Sequence, residues 1–183
     1  MIKTVIGSLV LAVTLASAQA PAIGPVAPEA APAPGAKPAF GKPTSIDFNL
    51  PLKPYKQTDL KFSMFAKRPA IVFYFSPTCG HCRHTYPHIQ ALQRQYEAKG
   101  LAFVAIAAGS ATPEDIADFD SEFKLTMPAF RDQDKVFSSK YGTGSVPLIL
   151  LVDTKGNYRL WNGSDDATLK NLDEAVKSAL KGR

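Results

Sequence analysis

Cysteine is scarce in this 183-residue chain: it has two, alongside three histidines and one tryptophan. Two cysteines cannot build the dense disulfide framework of a small secreted scaffold, nor a four-cysteine zinc site. Charge of one sign is also in short supply. Lys and Arg number 21 against 16 Asp and Glu, a formal net charge of +5, and the basic residues are scattered. Nucleic-acid recognition needs a basic patch or stripe, so no nucleic-acid partner is expected. Apolar residues are not lacking, at 45% hydrophobic against 20% charged, which excludes a wholly disordered chain. The length fits about one domain of ~100–200 residues, enough to bury a core without disulfides. There is no internal repeat.

Met1-Ile2-Lys3 carries one positive charge, and Thr4 to Leu15 is uncharged and mostly apolar. Ala16-Ser17-Ala18 and Ala18-Gln19-Ala20 both fit an A-x-A cleavage pattern. Residues 1–20 therefore have the three-part layout of a secretory signal peptide. The apolar stretch falls short of the ~20 residues that span a bilayer. An uncleaved N-terminal anchor is the alternative, and only then would the protein touch a membrane. Residues 21–43 are almost entirely Pro, Ala, Gly and Lys, with too little apolar bulk to pack, and form a semi-rigid linker. A folded domain is expected over 44–183, in the periplasm or otherwise outside the cytosol. Thiols there tend toward disulfides, so a cysteine pair is either redox-active or structural.

Within the domain, strands and helices alternate. Ile46, Phe48 and Leu50 alternate as in a short strand. Ala70–Phe75 is a continuous apolar run, as expected for a strand covered on both faces. Thr78 to about Lys99 reads as a helix stopped by Gly100, and Leu101–Ala107 as a second buried strand. Thr112-Pro113-Glu114-Asp115 opens another helix, with a Thr cap, Pro in the first position and acids in the first turn. A short helix over Lys135–Tyr141 ends at Gly142. Pro147–Val152 and Tyr158–Trp161 form a hairpin around Asp153–Gly156. Ala167–Leu180 is a closing helix with one apolar face. Two β–α–β units, a hairpin and a helix predict an α/β fold, a mixed sheet with helices on both faces.

Chemistry concentrates at Cys79-Gly80-His81-Cys82, where a buried strand gives way to a helix. A helix N-terminus presents unpaired N–H groups and the positive end of its macrodipole, which stabilise a thiolate. Cys79 is therefore the expected nucleophile. Cys82, almost one turn later, is placed to attack the resulting mixed disulfide. His81, when protonated, would favour the Cys79 thiolate further. A purely structural disulfide here would close a tiny loop and stabilise little. All three histidines, His81, His84 and His88, fall within ten residues of Cys79. His84 and His88 share a helical face, so a Cys/His metal-handling site is an alternative, although no metal is expected.

Ser76-Pro77-Thr78-Cys79-Gly80-His81-Cys82-Arg83, with Pro87 five residues after Cys82, resembles the active-site strand and helix of thioredoxin-fold proteins. Asp132-Gln133-Asp134-Lys135, Tyr141-Gly142, Gly144-Ser145-Val146-Pro147 and Asp153 with Gly156 are similar to exported TlpA/ResA-type thiol–disulfide oxidoreductases. The resemblance covers Thr44 to about Leu180 and implies a thioredoxin-like fold. It also implies a cis Val146–Pro147 bond beside the cysteines, with the Val146 backbone free to pair with a substrate strand. Many relatives carry a buried acid six residues before the first cysteine, where this chain has Phe73. Asp47, Asp59 and Glu97 are the substitutes considered. Thr78 stands where a tryptophan is common. Thiol peroxidases share the fold, but they place their cysteine in a Thr-x-x-Cys context that Thr78-Cys79 does not match.

Protein thiols and disulfides are thus the expected partners. TlpA/ResA-type proteins commonly reduce exported disulfides, including those of apocytochromes c, whereas the Gly-His dipeptide resembles that of disulfide isomerases and favours oxidation. No nicotinamide or flavin site is apparent, so no cofactor is expected. A membrane-bound electron donor or acceptor must then recharge the pair.

Overall fold

The computed structural model describes Gly35 and residues 42–181. The signal-peptide reading of 1–20 and most of the linker reading of 21–43 lie outside the described residues. No described helix is long and apolar enough to cross a membrane.

Six strands form one mixed sheet: β1 (Lys53–Pro54), β2 (Ala70–Phe75), β3 (Ala102–Ala107), β4 (Ala129–Arg131), β5 (Leu148–Val152) and β6 (Tyr158–Asn162). Their spatial order is β1-β4-β3-β2-β5-β6. Strands β2, β3 and β4 run parallel, while β5 is antiparallel to both β2 and β6. Every residue of β2 and β3 is buried, as continuous apolar runs require when both faces are covered. The helices α1 (Gly80–Tyr96) and α2 (Pro113–Phe123) are the crossovers of the two β–α–β units. α3 (Val136–Tyr141) precedes β5, and α4 (Asp166–Lys181) closes the domain.

Alternation along β2 divides the core in two. Ile71, Phe73 and Phe75 face a cluster built with Tyr86 and Ile89 of α1, Phe119 of α2 and Leu172 of α4. Val72 and Tyr74 face a second cluster with Phe62, Phe137 and Tyr141. Helices therefore cover both faces. Local chemistry sets several boundaries. Thr112 Oγ1 accepts the Asp115 N–H at 3.1 Å and Asp115 returns the bond to the Thr112 N–H at 2.8 Å, a reciprocal cap on α2. Gly156, at φ 88°, supplies the left-handed turn of the β5–β6 hairpin.

One expected element is absent. Ile46, Phe48 and Leu50 are buried, but no strand runs through them, and Ser45 makes an isolated bridge to Asn157. The Asp47 carboxylate accepts the Asn49 N–H at 3.0 Å, turning the backbone where a strand would have continued. The buried side chains instead pack under the second face. Two short strands, β1 and β4, and a 3₁₀ turn over Phe62–Phe65 were not anticipated. Strand β4 closes the second β–α–β unit.

Candidate active site

Strand β2 ends at Phe75, and Ser76-Pro77-Thr78 carries the chain into α1. Cys79 is the N-cap of that helix, with extended backbone (φ −81°, ψ 121°) and a side chain that makes no capping bond. Its N–H donates to the Ser76 carbonyl at 3.2 Å, and its own carbonyl accepts the Arg83 N–H at 3.0 Å. No acidic residue occupies the first turn of α1, so nothing there offsets the positive helix end. The Arg83 guanidinium donates to the Pro77 carbonyl at 3.1 Å, pairs with Glu122 and lies over the Phe123 ring, bracing the connection from behind.

The two thiols, both free, occupy different surroundings. Cys79 is half-buried, and its Sγ lies 3.9 Å from the Val146 carbonyl oxygen. Cys82 is fully buried, and its Sγ accepts the Ser76 N–H at 3.4 Å. Burial pushes the Cys82 thiol up to about 12, the Ser76 amide pulls it down, and the adjoining Cys79 adds to the rise. An accessible sulfur at the helix start and a protonated one a turn below suit sequential attack.

Val146 belongs to the loop between α3 and β5, and the Val146–Pro147 peptide is cis. Asn162, the last residue of β6, holds this loop. Its Nδ2 donates to Thr143 Oγ1 at 2.8 Å, and its Oδ1 accepts the Ser145 hydroxyl at 3.0 Å. A cavity of about 410 Å³ opens beside Val146, lined by Tyr74, Ser76, Ser110, Ser138 and Ser145. A larger one, about 700 Å³, is lined by Pro69, Leu151 and Asp153, at the end of β2 and β5 opposite the cysteines. It has no part in chemistry at Cys79.

The histidines scatter. His81 is exposed, and its Nδ1 lies 2.9 Å from Ser164 Oγ in the β6–α4 connection. His88 Nε2 is 2.9 Å from Asp173 on α4, and His84 is exposed. Among the described residues no group of three or more His, Cys, Asp or Glu is arranged to hold a metal ion.

The three carboxylates considered as substitutes for the acid absent at Phe73 do not serve. Asp47 belongs to the opposite side of the sheet, where it pairs with Lys140 at 2.9 Å. Asp59 is exposed in the chain between β1 and the 3₁₀ turn. Glu97 follows the far end of α1, about 22 Å along the axis from Cys82 at the helical rise. Phe73 itself is fully buried, stacked on Phe75 at 5.1 Å with Tyr86 at 6.0 Å. The positions that sequence reasoning did not single out are Ser164 and Asn162, and the Ser76 amide. The first two carry no motif and reach the site only through the hairpin fold. The third is a backbone group, which side-chain patterns do not reveal.

A dithiol at the head of a helix, on a mixed sheet and against a cis-proline loop, defines a thioredoxin-like protein. Solved structures carry the same fold. A putative thiol:disulfide interchange protein DsbE from Chlorobium tepidum superposes with a TM-score of 0.67 at 24% identity, covering 76% of this chain and 96% of that one. A secreted Mycobacterium tuberculosis disulfide oxidoreductase gives 0.63 at 17% identity, covering 72% and 96%. The chain belongs to the AhpC/TSA family, whose model matches residues 43–160. Curated relatives include a thioredoxin-like protein of Haemophilus influenzae, 26% identical over 98 residues, which are 54% of this chain and 56% of that protein. The thiol-disulfide oxidoreductase ResA of Geobacillus thermodenitrificans is 27% identical over 82 residues, 44% of this chain and 46% of that protein. The chain thus spans about half the length of the curated relatives it matches.

Proposed function

We propose that this chain is a thiol–disulfide oxidoreductase that exchanges disulfides with protein substrates through Cys79 and Cys82, acting as a reductase outside the cytosol. The observation that carries the reading is the asymmetry of the pair, an accessible Cys79 at the helix start and a buried, protonated Cys82 one turn on.

The Cys79 thiolate attacks a substrate disulfide, forming a mixed disulfide and releasing the substrate's other sulfur as a thiolate. A substrate strand rests against the Val146–Pro147 loop, with its side chains directed to the serine-lined cavity beside Val146. Cys82 then passes its proton to the released substrate thiolate, attacks Cys79 Sγ and displaces the second substrate sulfur as a thiolate, which takes a proton from solvent. The substrate gains two electrons, and the Cys79–Cys82 pair becomes a disulfide that a membrane-bound donor reduces again. Apocytochromes c awaiting haem are one substrate class that fits this direction. In this scheme residues 1–20 direct export, and 21–43 space the domain from the membrane only where that segment stays uncleaved.

Cys82→Ser removes the resolving sulfur and is expected to trap mixed disulfides through Cys79, seen as adducts on non-reducing gels. Absence of any adduct in that variant would sink the scheme. Direction is read by equilibration against glutathione. A potential near or below roughly −250 mV supports a reductase, and one above roughly −180 mV makes the protein an oxidant or isomerase. The Gly80-His81 dipeptide between the cysteines favours that second reading.

A further inference from the structure

Ser164 lies 83 positions from His81 in the chain, yet its Oγ is 2.9 Å from His81 Nδ1. His81 is the second residue of α1 and stands between the two cysteines. Its ring nevertheless bonds elsewhere. Among the described residues, the polar contact of Cys79 Sγ is the Val146 carbonyl, and that of the His81 ring is Ser164. A serine hydroxyl both donates and accepts. It donates to Nδ1 of a neutral imidazole and accepts Nδ1–H from an imidazolium, so the contact survives a change of protonation.

Two charged neighbours, Asp165 and Arg83, are engaged elsewhere, while Asp166 lies exposed in the first turn of α4. Asp165, next to Ser164, accepts the Thr168 N–H at 2.9 Å and the Thr168 hydroxyl at 2.6 Å, so its carboxylate is held at the start of α4. Arg83 is directed to Pro77 and Glu122. Two residues before Ser164, Asn162 ties down Thr143 and Ser145. One short segment therefore fixes both the histidine between the cysteines and the loop that meets Cys79.

We propose that Ser164 is a positioning residue for disulfide exchange, holding the His81 ring on the β6–α4 connection and so withholding a positive charge from the Cys79 sulfur. The proposal rests on the redox reading of Cys79 and Cys82. A cation beside a thiolate stabilises the reduced form and makes the couple more oxidising. Freeing the ring should do the same here.

The test uses the full chain with Ser164→Ala, Ser164→Thr, His81→Ala and the Ser164→Ala/His81→Ala double change. Each is equilibrated against glutathione. Each is also placed in a Cys82→Ser background, where the rate of Cys79 alkylation is followed against pH. Ser164→Ala is expected to shift the redox equilibrium about three- to tenfold toward the dithiol and to lower the alkylation midpoint by about 0.5–1 pH unit. Ser164→Thr, which keeps the hydroxyl, should stay near the parent, and Ser164→Ala should change nothing once His81 is alanine. An unchanged equilibrium and midpoint, a shift of the opposite sign, or a shift that persists without His81 overturns the proposal. If the parent forms no disulfide at any glutathione ratio, the redox reading fails. The alkylation midpoints then still decide whether Ser164 restrains His81.

Discussion

On the face of the sheet that meets α1, Phe73 stacks on Phe75, Tyr86 packs against Phe73, and Cys82 is buried in the same cluster. On the face that meets α3, Tyr74 stacks on Phe137, and a fully buried carboxylate, Asp132, accepts the Phe137 and Ser138 N–H groups at 2.8 and 2.9 Å. Adjacent residues of one strand thus look into a dry aromatic cluster on one side and a hydrogen-bonded acid on the other. Asp132 supplies acceptors for N–H groups that the start of α3 leaves unpaired. Cys82, with no such partner beyond the Ser76 amide, keeps its proton. The chain does bury an acid, but on the face where it serves helix capping rather than proton transfer at Cys82.

The most damaging way to break this contrast is to bring an acid to the dry side. Phe73→Asp removes a large aromatic and buries an unpaired carboxylate, and should cost about 3–5 kcal/mol by urea unfolding. A loss under about 1 kcal/mol would mean that water already reaches this cluster. Removing the acid from the other face comes next. Asp132→Ala strands one buried and one half-buried N–H group and should cost about 2–4 kcal/mol, with Asp132→Asn milder because one acceptor remains. Equal losses for the two variants would argue that charge, not hydrogen bonding, matters there.

A third, smaller effect sharpens the comparison through pH. Folding raises the Cys82 thiol from an ordinary 9.0 to about 12. The unfolded chain therefore releases this proton first as pH rises. The stabilisation is fully present below about pH 9 and is lost progressively toward pH 12. The stability gap between the reduced parent and Cys82→Ala should narrow by about 1.5 kcal/mol between pH 8 and pH 10. A constant gap would show that Cys82 ionises as readily folded as unfolded. Thr112→Ala, remote from both clusters, serves as the reference. It loses half of a reciprocal cap and should cost about 1 kcal/mol at any pH in that range.

Much of the frame was legible in the sequence because the signals were local. The runs of β2 and β3, the Thr112-Pro113 start of α2 and the turn ending at Gly156 each announce themselves within a few residues. Short strands did not. β4 has three residues and β1 two, one of them a proline, so neither has length enough for a period to show. Ile46, Phe48 and Leu50 misled for the opposite reason: their alternation is real, but it serves packing along a turned segment. At the site, Cys79 and Cys82 stand out in the sequence by their spacing at the junction of an apolar run and a helix, with the Val146-Pro147 motif downstream. Ser164 and Asn162 do not, since their neighbours come from α1 and the β5 loop, and no local pattern encodes a meeting across the fold.

The ends of the sheet carry one more consequence. An open sheet invites a further strand at each margin, from another copy or a half-folded chain. At one margin β1 consists of Lys53 and Pro54 alone, a charged residue and one with no N–H to offer. At the other, Ser45 bridges to Asn157, the Ile46 N–H donates to the Gly156 carbonyl at 2.8 Å, and the Gly35 N–H donates to the Leu160 carbonyl at 3.0 Å. Intermolecular strand pairing is therefore discouraged on both flanks.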